Sequence, residues 1–331
     1  MMAMADFARE SVLHAFVAAL VYAALVRSWR VHDPGSRLAL GVVALAWSAA
    51  GVPALWLLAP ARTGEAFRDD RALFDSARWN DLQVAGIGLA DAGVALMVAA
   101  GGLLFLRDLV PWLRERRGGH PTPACAGWPG SARLRTTVER LAGRMRLTPP
   151  PLHLLDVDEP VMLCAGARRP VLVVSRGACS RLDDGALEAA VAHELAHVER
   201  RDSAAGWLLM AVRAACWFNP VVQVLARDLA QEMERRADDR AVALGGDRAA
   251  LAAALVAVYG AGEGRARVAS DWPVPGLDAP GRVADHFSTA ALAARCRRLL
   301  APPAVAATPA LARLRVALAG GGLGILLFFV V

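Results

Sequence analysis

The feature that most constrains this fold is a set of long apolar runs, separated by short stretches rich in charge. A hydrocarbon core of ~30 Å requires about 20 apolar residues in a helix. The run at about 38–60 has this length, and shorter or interrupted runs lie at about 11–27, 82–106 and 316–331. Together they predict an α-helical multi-pass membrane protein with three transmembrane helices in residues 1–110 and a fourth in residues 301–331.

Composition supports this class and also suggests an orientation. The chain is 56% hydrophobic, and its net charge of +6 comes from arginine alone, since it contains no lysine. If all four runs span, Arg27, Arg30 and Arg37 lie on the same side as Arg313 and Arg315, and the positive-inside rule makes that side cytoplasmic. We therefore expect a protein of the cell inner membrane, with the charged loop at 62–81 outside. No basic patch interleaved with aromatic residues occurs, so no direct contact with nucleic acid is expected.

The composition changes after the third run. Residues 111–130 form a linker rich in Pro and Gly, which predicts that a separate α+β domain occupies residues 131–300, between the third and last transmembrane helices. An amphipathic helix is predicted at its start, followed by short strands at 152–156 and 171–175. A membrane-associated helical hairpin is predicted at about 204–229, broken at Asn219–Pro220.

One heptapeptide of this domain has two histidines at the spacing of metal ligands. It reads Val191-Ala192-His193-Glu194-Leu195-Ala196-His197. On a helix, His193 and His197 project from one face, one turn apart, so both imidazoles reach a single metal ion. Zinc binds nitrogen donors and keeps one position open in catalytic sites, where Glu194 would act as the base toward an activated water. The alternative is an ordinary amphipathic helix with two surface histidines.

A third ligand is available on a later segment, Gln231-Glu232-Met233-Glu234-Arg235-Arg236-Ala237-Asp238. Glu234 is the better candidate, because Glu232 lies about 200° away around a helix and shares its face with arginines. Asp238, one turn after Glu234, could then bond the free nitrogen of a ligand histidine. The alternative is a solvated, charged helix face.

These segments resemble the membrane-embedded gluzincin peptidases. The residues that carry the resemblance are His193-Glu194-Leu195-Ala196-His197, Arg200-Arg201-Asp202, Trp217-Phe218-Asn219-Pro220 and Glu234-Arg235-Arg236-Ala237-Asp238. The layout is most similar to the protease module of the BlaR/MecR-type beta-lactam sensor-transducers, and next to the HtpX-like and CAAX-prenyl-protease-like peptidases. HtpX-like proteins show Asn-Ala in the strand region where this chain has Met162-Leu163-Cys164-Ala165-Gly166. The sequence ends at Val331, which leads us to expect no extracellular penicillin-binding sensor domain.

The resemblance implies a gluzincin domain with one Zn²⁺ per chain and a zinc endopeptidase that hydrolyses peptide bonds with a zinc-activated water. It also implies His286 as an oxyanion stabiliser, since a downstream histidine of the HtpX-like branch precedes a helix with an arginine, here Arg295; the alternative is a surface loop histidine. We expect the substrate to pair with Val171–Ser175 as an edge strand, the alternative being a core strand.

The implied partners are a protein or peptide substrate and the lipid bilayer. By resemblance to the sensor-transducers, the substrate is a BlaI-type transcriptional repressor or another signalling protein, cleaved at the cytoplasmic membrane face. An HtpX-like role in membrane protein quality control is the alternative. A non-catalytic receptor or scaffold that keeps the fold is a third reading, although a scaffold does not need a base beside a metal.

Overall fold

The computed structural model describes residues 4–73, 83–84, 87–115, 130–166, 168–260, 289–301 and 308–331. These residues form two compact units. The helical unit comprises Met1–Arg107, Ala211–Glu232 and Ala304–Val331, and the sheet unit comprises Asp108–Met210 and Met233–Pro303.

The described elements are mainly helices. In chain order these are α1 (Met4–Ser28), α2 (Pro34–Leu58), α3 (Glu65–Asp70), α4 (Leu89–Glu115), α5 (Ser131–Arg144), α6 (Arg176–Arg181), α7 (Asp184–Arg200), α8 (Asp202–Ala215), α9 (Pro220–Ala243), α10 (Arg248–Tyr259), α11 (Thr289–Leu300) and α12 (Pro309–Phe328), with a 3₁₀ turn at Pro60–Thr63. The strands are β1 (Gln83–Val84), β2 (Ile87–Gly88), β3 (Leu152–Leu155), β4 (Met162–Ala165) and β5 (Val171–Ser175).

Three helices of the helical unit are long and apolar enough to cross a membrane, among the residues the structure describes: Asp6–Ser28, Pro34–Leu58 and Pro309–Phe328. Helix α2 packs against both α1 and α12. It begins where Asp33 accepts a hydrogen bond from the Ser36 amide at 2.7 Å, with Pro34 in the first turn. An aspartate cap followed by proline is a strong helix start.

The last helix is longer than predicted. The sequence suggested a marginal run from residue 316, but α12 starts at Pro309, where the Thr308 side chain caps it. The prediction started too late because Arg313 and Arg315 interrupt the apolar pattern. Arg315 lies over the Trp29 ring at 5.9 Å and donates to its carbonyl oxygen at 3.2 Å. A long arginine side chain can thus lie along an apolar helix while its charge finds a partner.

The third predicted span overlaps α4, which covers Leu89–Glu115 and contains the apolar stretch Ala92–Arg107. A membrane crossing by α4 stays a prediction. Gly101 allows α4 to approach the chain at Phe218 closely, since an added Cβ would lie 2.5 Å from that residue's carbonyl oxygen.

Helices α8 and α9 are separated at the predicted break. The Asn219 side chain accepts hydrogen bonds from the amides of Val221 and Val222 at 3.1 and 3.3 Å, and Pro220 opens α9. Both features start a new helix. Helix α9 continues without interruption to Ala243, so the second arm of the predicted hairpin and the segment that carries Glu234 belong to one helix. Membrane association of this region stays a prediction.

The sheet unit contains a three-stranded sheet in the order β3-β5-β4, in which β5 is parallel to β3 and antiparallel to β4. The expectation that Val171–Ser175 is an edge strand is therefore wrong. Four of its five residues are buried, and such an apolar run without alternation is typical of a central strand. The residue pattern did not predict β4, which forms one edge, although the family resemblance placed residues 162–166 in a strand region.

Helix α7 occupies the centre of this unit. Asp183 caps it by accepting the Ala186 amide at 2.7 Å. Residues 189–197 are buried without interruption, since α5, α10 and β4 all pack on this helix. The helix ends at Arg201, whose φ of 56° is left-handed although the residue is not glycine.

The turn between β5 and α6 provides a test of the sheet unit. The buried Ser175 hydroxyl accepts the amides of Val161 and Ala178 and donates to the Glu159 carbonyl at 2.6 Å. Ser175→Ala should remove all three bonds, cost about 2–3 kcal/mol, and lower the unfolding midpoint in detergent by several degrees. Ser180→Ala, an exposed position on α6, is the control and should leave it unchanged. Equal midpoints for the two variants would contradict this account.

Candidate metal centre

Three side chains of the sheet unit converge on one point. His193 and His197 of α7 and Glu234 of α9 offer donor atoms that all lie within 4.8 Å of one another. The two Nε2 atoms are 3.3 Å apart, and the Glu234 oxygens lie 3.5 Å from His193 Nε2 and 3.7 Å from His197 Nε2. Ligands at ~2.0–2.1 Å from a tetrahedral zinc ion stand about 3.3 Å apart. The donor set therefore fits such an ion in type and spacing.

Each histidine has an aspartate beside its Nδ1 atom. His197 Nδ1 lies 2.8 Å from an oxygen of Asp202, and His193 Nδ1 lies 3.1 Å from an oxygen of Asp238. A carboxylate at Nδ1 fixes the tautomer that leaves Nε2 free to bind a metal, and it also orients the ring. Both Nε2 atoms face the common point as a result.

Arg295 of α11 balances the carboxylates. It forms two hydrogen bonds with Asp238, at 2.6 and 2.9 Å, and lies 2.9 Å from Glu234. Burial opposes ionisation of both acids, but at Asp238 the contacts with Arg295 and His193 together outweigh it, and the pKa of Asp238 falls to about 2. The pKa of Glu234 is likewise held well below its usual value, with the histidines contributing.

The same acids favour positive charge at His193. Burial lowers the pKa of this imidazole, but Asp238 and Glu234 outweigh it and raise the pKa to about 9. A proton or a metal ion can provide the charge, and the two compete for the imidazole because only its neutral form binds metal.

Glu194 is buried at 1% exposure beside the pair of histidines. One of its oxygens accepts the Cys164 amide of β4 at 2.6 Å, and the other accepts the Tyr259 hydroxyl of α10, also at 2.6 Å. The carboxylate is thus held by the backbone of a strand on one side and by a side chain on the other.

Glu232 does not belong to this cluster. Its neighbouring arginines in the sequence suggest a solvated helix face, but that part of the interpretation is wrong: Glu232 is fully buried in the helical unit, where it lies 2.9 Å from the Arg37 guanidinium. The helix period places Glu232 and Glu234 on different sides of α9, so the two carboxylates contact different groups.

The structure thus brings together four of the six predicted site residues, namely His193, His197, Glu234 and Asp238. Glu194 follows His193 on α7 and is held by Cys164 and Tyr259, while His286 lies outside the described residues. Sequence reasoning missed the contacts of Asp202, Tyr259 and Arg295. Asp202 stands in the quoted Arg-Arg-Asp segment, and Arg295 was noted only as a family feature. No local signal marked Tyr259, which reaches the site from α10.

Comparison with known proteins agrees with this geometry. Residues 144–275 match the family model described as BlaR1 peptidase M56. The chain is 32% identical over 122 residues to a protease HtpX homolog of Acidiphilium cryptum (strain JF-5), which covers 34% of this chain and 39% of the relative. It is also 32% identical over 88 residues to a protease HtpX homolog of Aquifex aeolicus (strain VF5), covering 26% and 29%. The chain therefore spans less than half the length of these curated relatives.

No solved structure matches the chain. The family model nevertheless covers α7, Glu234, Asp238 and Tyr259 in one continuous match. The relatives and the family description agree on a protease, and apolar helices of spanning length accompany the matched region. Residues 144–275 of this chain are therefore similar to the peptidase domain of the BlaR/HtpX-like membrane metallopeptidases.

Proposed function

We propose that this chain is a membrane-bound zinc endopeptidase, with His193, His197 and Glu234 as metal ligands and Glu194 as the general base. One observation carries the proposal, namely three donor atoms at the spacing of a tetrahedral ion with a buried carboxylate adjacent on the same helix. When bound, a zinc ion would supply a Lewis acid that polarises the scissile carbonyl and acidifies a water molecule.

The chain's own residues perform the remaining tasks. Glu194 takes the proton of the attacking water and delivers it to the leaving nitrogen, so no covalent intermediate is needed. Asp202 and Asp238 keep the imidazoles in the binding tautomer. Arg295 keeps Glu234 and Asp238 ionised in a buried site, because an unpaired buried carboxylate would take up a proton instead.

Strand β4 replaces β5 as our candidate for the substrate-binding edge. It is an outer strand of the three-stranded sheet, and its Cys164 amide contacts Glu194 directly. An extended peptide added to this edge would pair through its backbone, which gives affinity for varied sequences. It would also run past the proposed base.

The biological substrate follows from the family resemblance and not from the site. Regulatory cleavage of a repressor such as a BlaI-type protein, or of another signalling protein, at the cytoplasmic membrane face is our first proposal. The relatives named as HtpX homologs favour membrane protein quality control as the second. The complete set of ligands and base argues against a non-catalytic scaffold, which would not require them.

Glu194→Gln should abolish peptide cleavage while zinc content stays near one ion per chain, because Glu194 is assigned as base and not as ligand. Cleaved termini of labelled protein substrates, read by mass spectrometry, together with metal analysis test this. Glu188→Gln, the same change in a partly exposed residue of α7, is the control and should retain activity. Wild-type turnover in Glu194→Gln, or loss of its zinc, would remove the assignment.

Zinc affinity should separate the two neighbouring glutamates of α9. Glu234→Gln should weaken binding sharply, because an amide oxygen is a poorer ligand than a carboxylate. Glu232→Gln should leave affinity nearly unchanged, and Asp238→Asn should cost about 10–100-fold. Competition with a chelator of known affinity measures all three. A larger loss for Glu232 than for Glu234 would show that the ligand assignment is incorrect.

The proposed orientation is open to cysteine labelling in whole cells. A cysteine placed at Thr63 should react with an impermeant reagent from outside, whereas the native Cys125 should react only after permeabilisation. The reason is the distribution of arginines around the apolar runs. The opposite labelling pattern would mean that the peptidase domain is not cytoplasmic.

A further inference from the structure

The base Glu194 is held by two donors of different kinds. The Cys164 donor is a backbone amide of edge strand β4, while the Tyr259 donor is a hydroxyl at the end of α10. Each bond is 2.6 Å long and buried. Short hydrogen bonds to a charged acceptor are among the stronger ones in proteins, so both donors contribute to the position of the carboxylate.

The Cys164 amide faces away from the sheet. The Ser175 amide at the end of β5 donates to the carbonyl of Val161, the residue before β4. The backbone N–H and C=O groups of the odd-numbered residues from 161 to 165 therefore point toward β5. Because the bonding direction alternates along a strand, the polar backbone groups of Met162 and Cys164 point outward. These are the groups that a peptide would use if it joined the sheet at β4.

One of these outward groups, the Cys164 amide, already donates to Glu194. The Met162 carbonyl lies 3.4 Å from the Tyr259 hydroxyl, whose one proton is donated to Glu194 at 2.6 Å. A backbone N–H donates one good hydrogen bond, so a peptide carbonyl that pairs with Cys164 must displace Glu194 from it. The Tyr259 hydroxyl belongs to α10 and not to β4. A peptide that pairs with the Cys164 amide therefore does not compete for the hydrogen bond between this hydroxyl and the other Glu194 oxygen.

We propose that the two donors act in sequence: a bound peptide takes the Cys164 amide from Glu194, and Tyr259 is the positioning residue that keeps the freed carboxylate directed at the reacting water. This inference rests on the proposed function. It adds to that function a competition between substrate and base for one amide, and a role for a tyrosine outside the metal ligands.

The competition makes peptide binding sensitive to the acceptor at position 194. Glu194→Gln retains an oxygen that can accept the Cys164 amide, whereas Glu194→Met has similar size and no such oxygen. Neither variant should cleave, so binding can be measured in the full-length, zinc-loaded protein by fluorescence anisotropy with labelled oxidised insulin B chain. Glu194→Met should bind on the order of tenfold tighter, about the value of one hydrogen bond. Equal affinities, or tighter binding by Glu194→Gln, would overturn the competition.

Tyr259→Phe tests the positioning role, because it removes only the hydroxyl. With the unlabelled insulin B chain as substrate, kcat should fall by about tenfold or more while KM and zinc content stay within twofold, since misplacing a base slows chemistry more than binding. Tyr22→Phe is the matched control. It removes the hydroxyl of the chain's other tyrosine, which donates to Asp228 in the helical unit, and should keep wild-type kcat.

The outcomes separate the two levels of the proposal. Wild-type kcat in Tyr259→Phe, a loss shared equally by Tyr22→Phe, or a loss that follows zinc content would each refute the role of Tyr259 and leave the peptidase assignment intact. A wild-type protein that binds zinc but cleaves neither this peptide nor any cellular protein would refute the proposed function itself.

Discussion

The candidate metal centre depends on the buried pairing of Arg295 with Asp238 and Glu234. Two carboxylates with little exposure to water would not stay ionised without a partner, and a protonated Glu234 would be a poor ligand. Removing one partner of a buried ion pair costs about 3–5 kcal/mol, whereas an exposed pair such as Arg176 with Asp156 is screened by solvent. Loss of Arg295 would therefore have a large effect on the site.

The pairing also connects elements that are distant in the chain. Arg295 reaches Asp238 from α11, and Asp238 reaches His193 on α7. The guanidinium thus acts on the imidazole through Asp238 and also directly, since its Nη2 lies 3.4 Å from His193 Nε2, and it acts on Glu234 directly. A single side chain sets the charge of one proposed ligand and the orientation of another.

The sequence predicted those parts of the structure that depend on local pattern. The helix carrying His193 and His197, the break at Asn219–Pro220 and the placement of Glu234 and Asp238 on one face all follow from helix period and capping. Sequence did not give the order of strands, because a four-residue segment such as β4 carries too little pattern to identify. It also misjudged Glu232, whose arginine neighbours in sequence suggested solvent although its partner, Arg37, comes from another helix.

The two histidines acquire their aspartate partners in different ways. Asp202 follows His197 by five residues, across the left-handed turn at Arg201, whereas Asp238 comes from α9, 45 positions after His193. Contacts between near neighbours in sequence close small loops and form early, while distant ones wait for the chain to collapse. The centre therefore has a half that a nascent chain can organise soon after α7 is synthesised, and a half that is completed only when α9 and α11 have been added. Until then, a newly made chain would have one oriented imidazole without Glu234 beside it, so the candidate site is completed only some time after α7 has been translated.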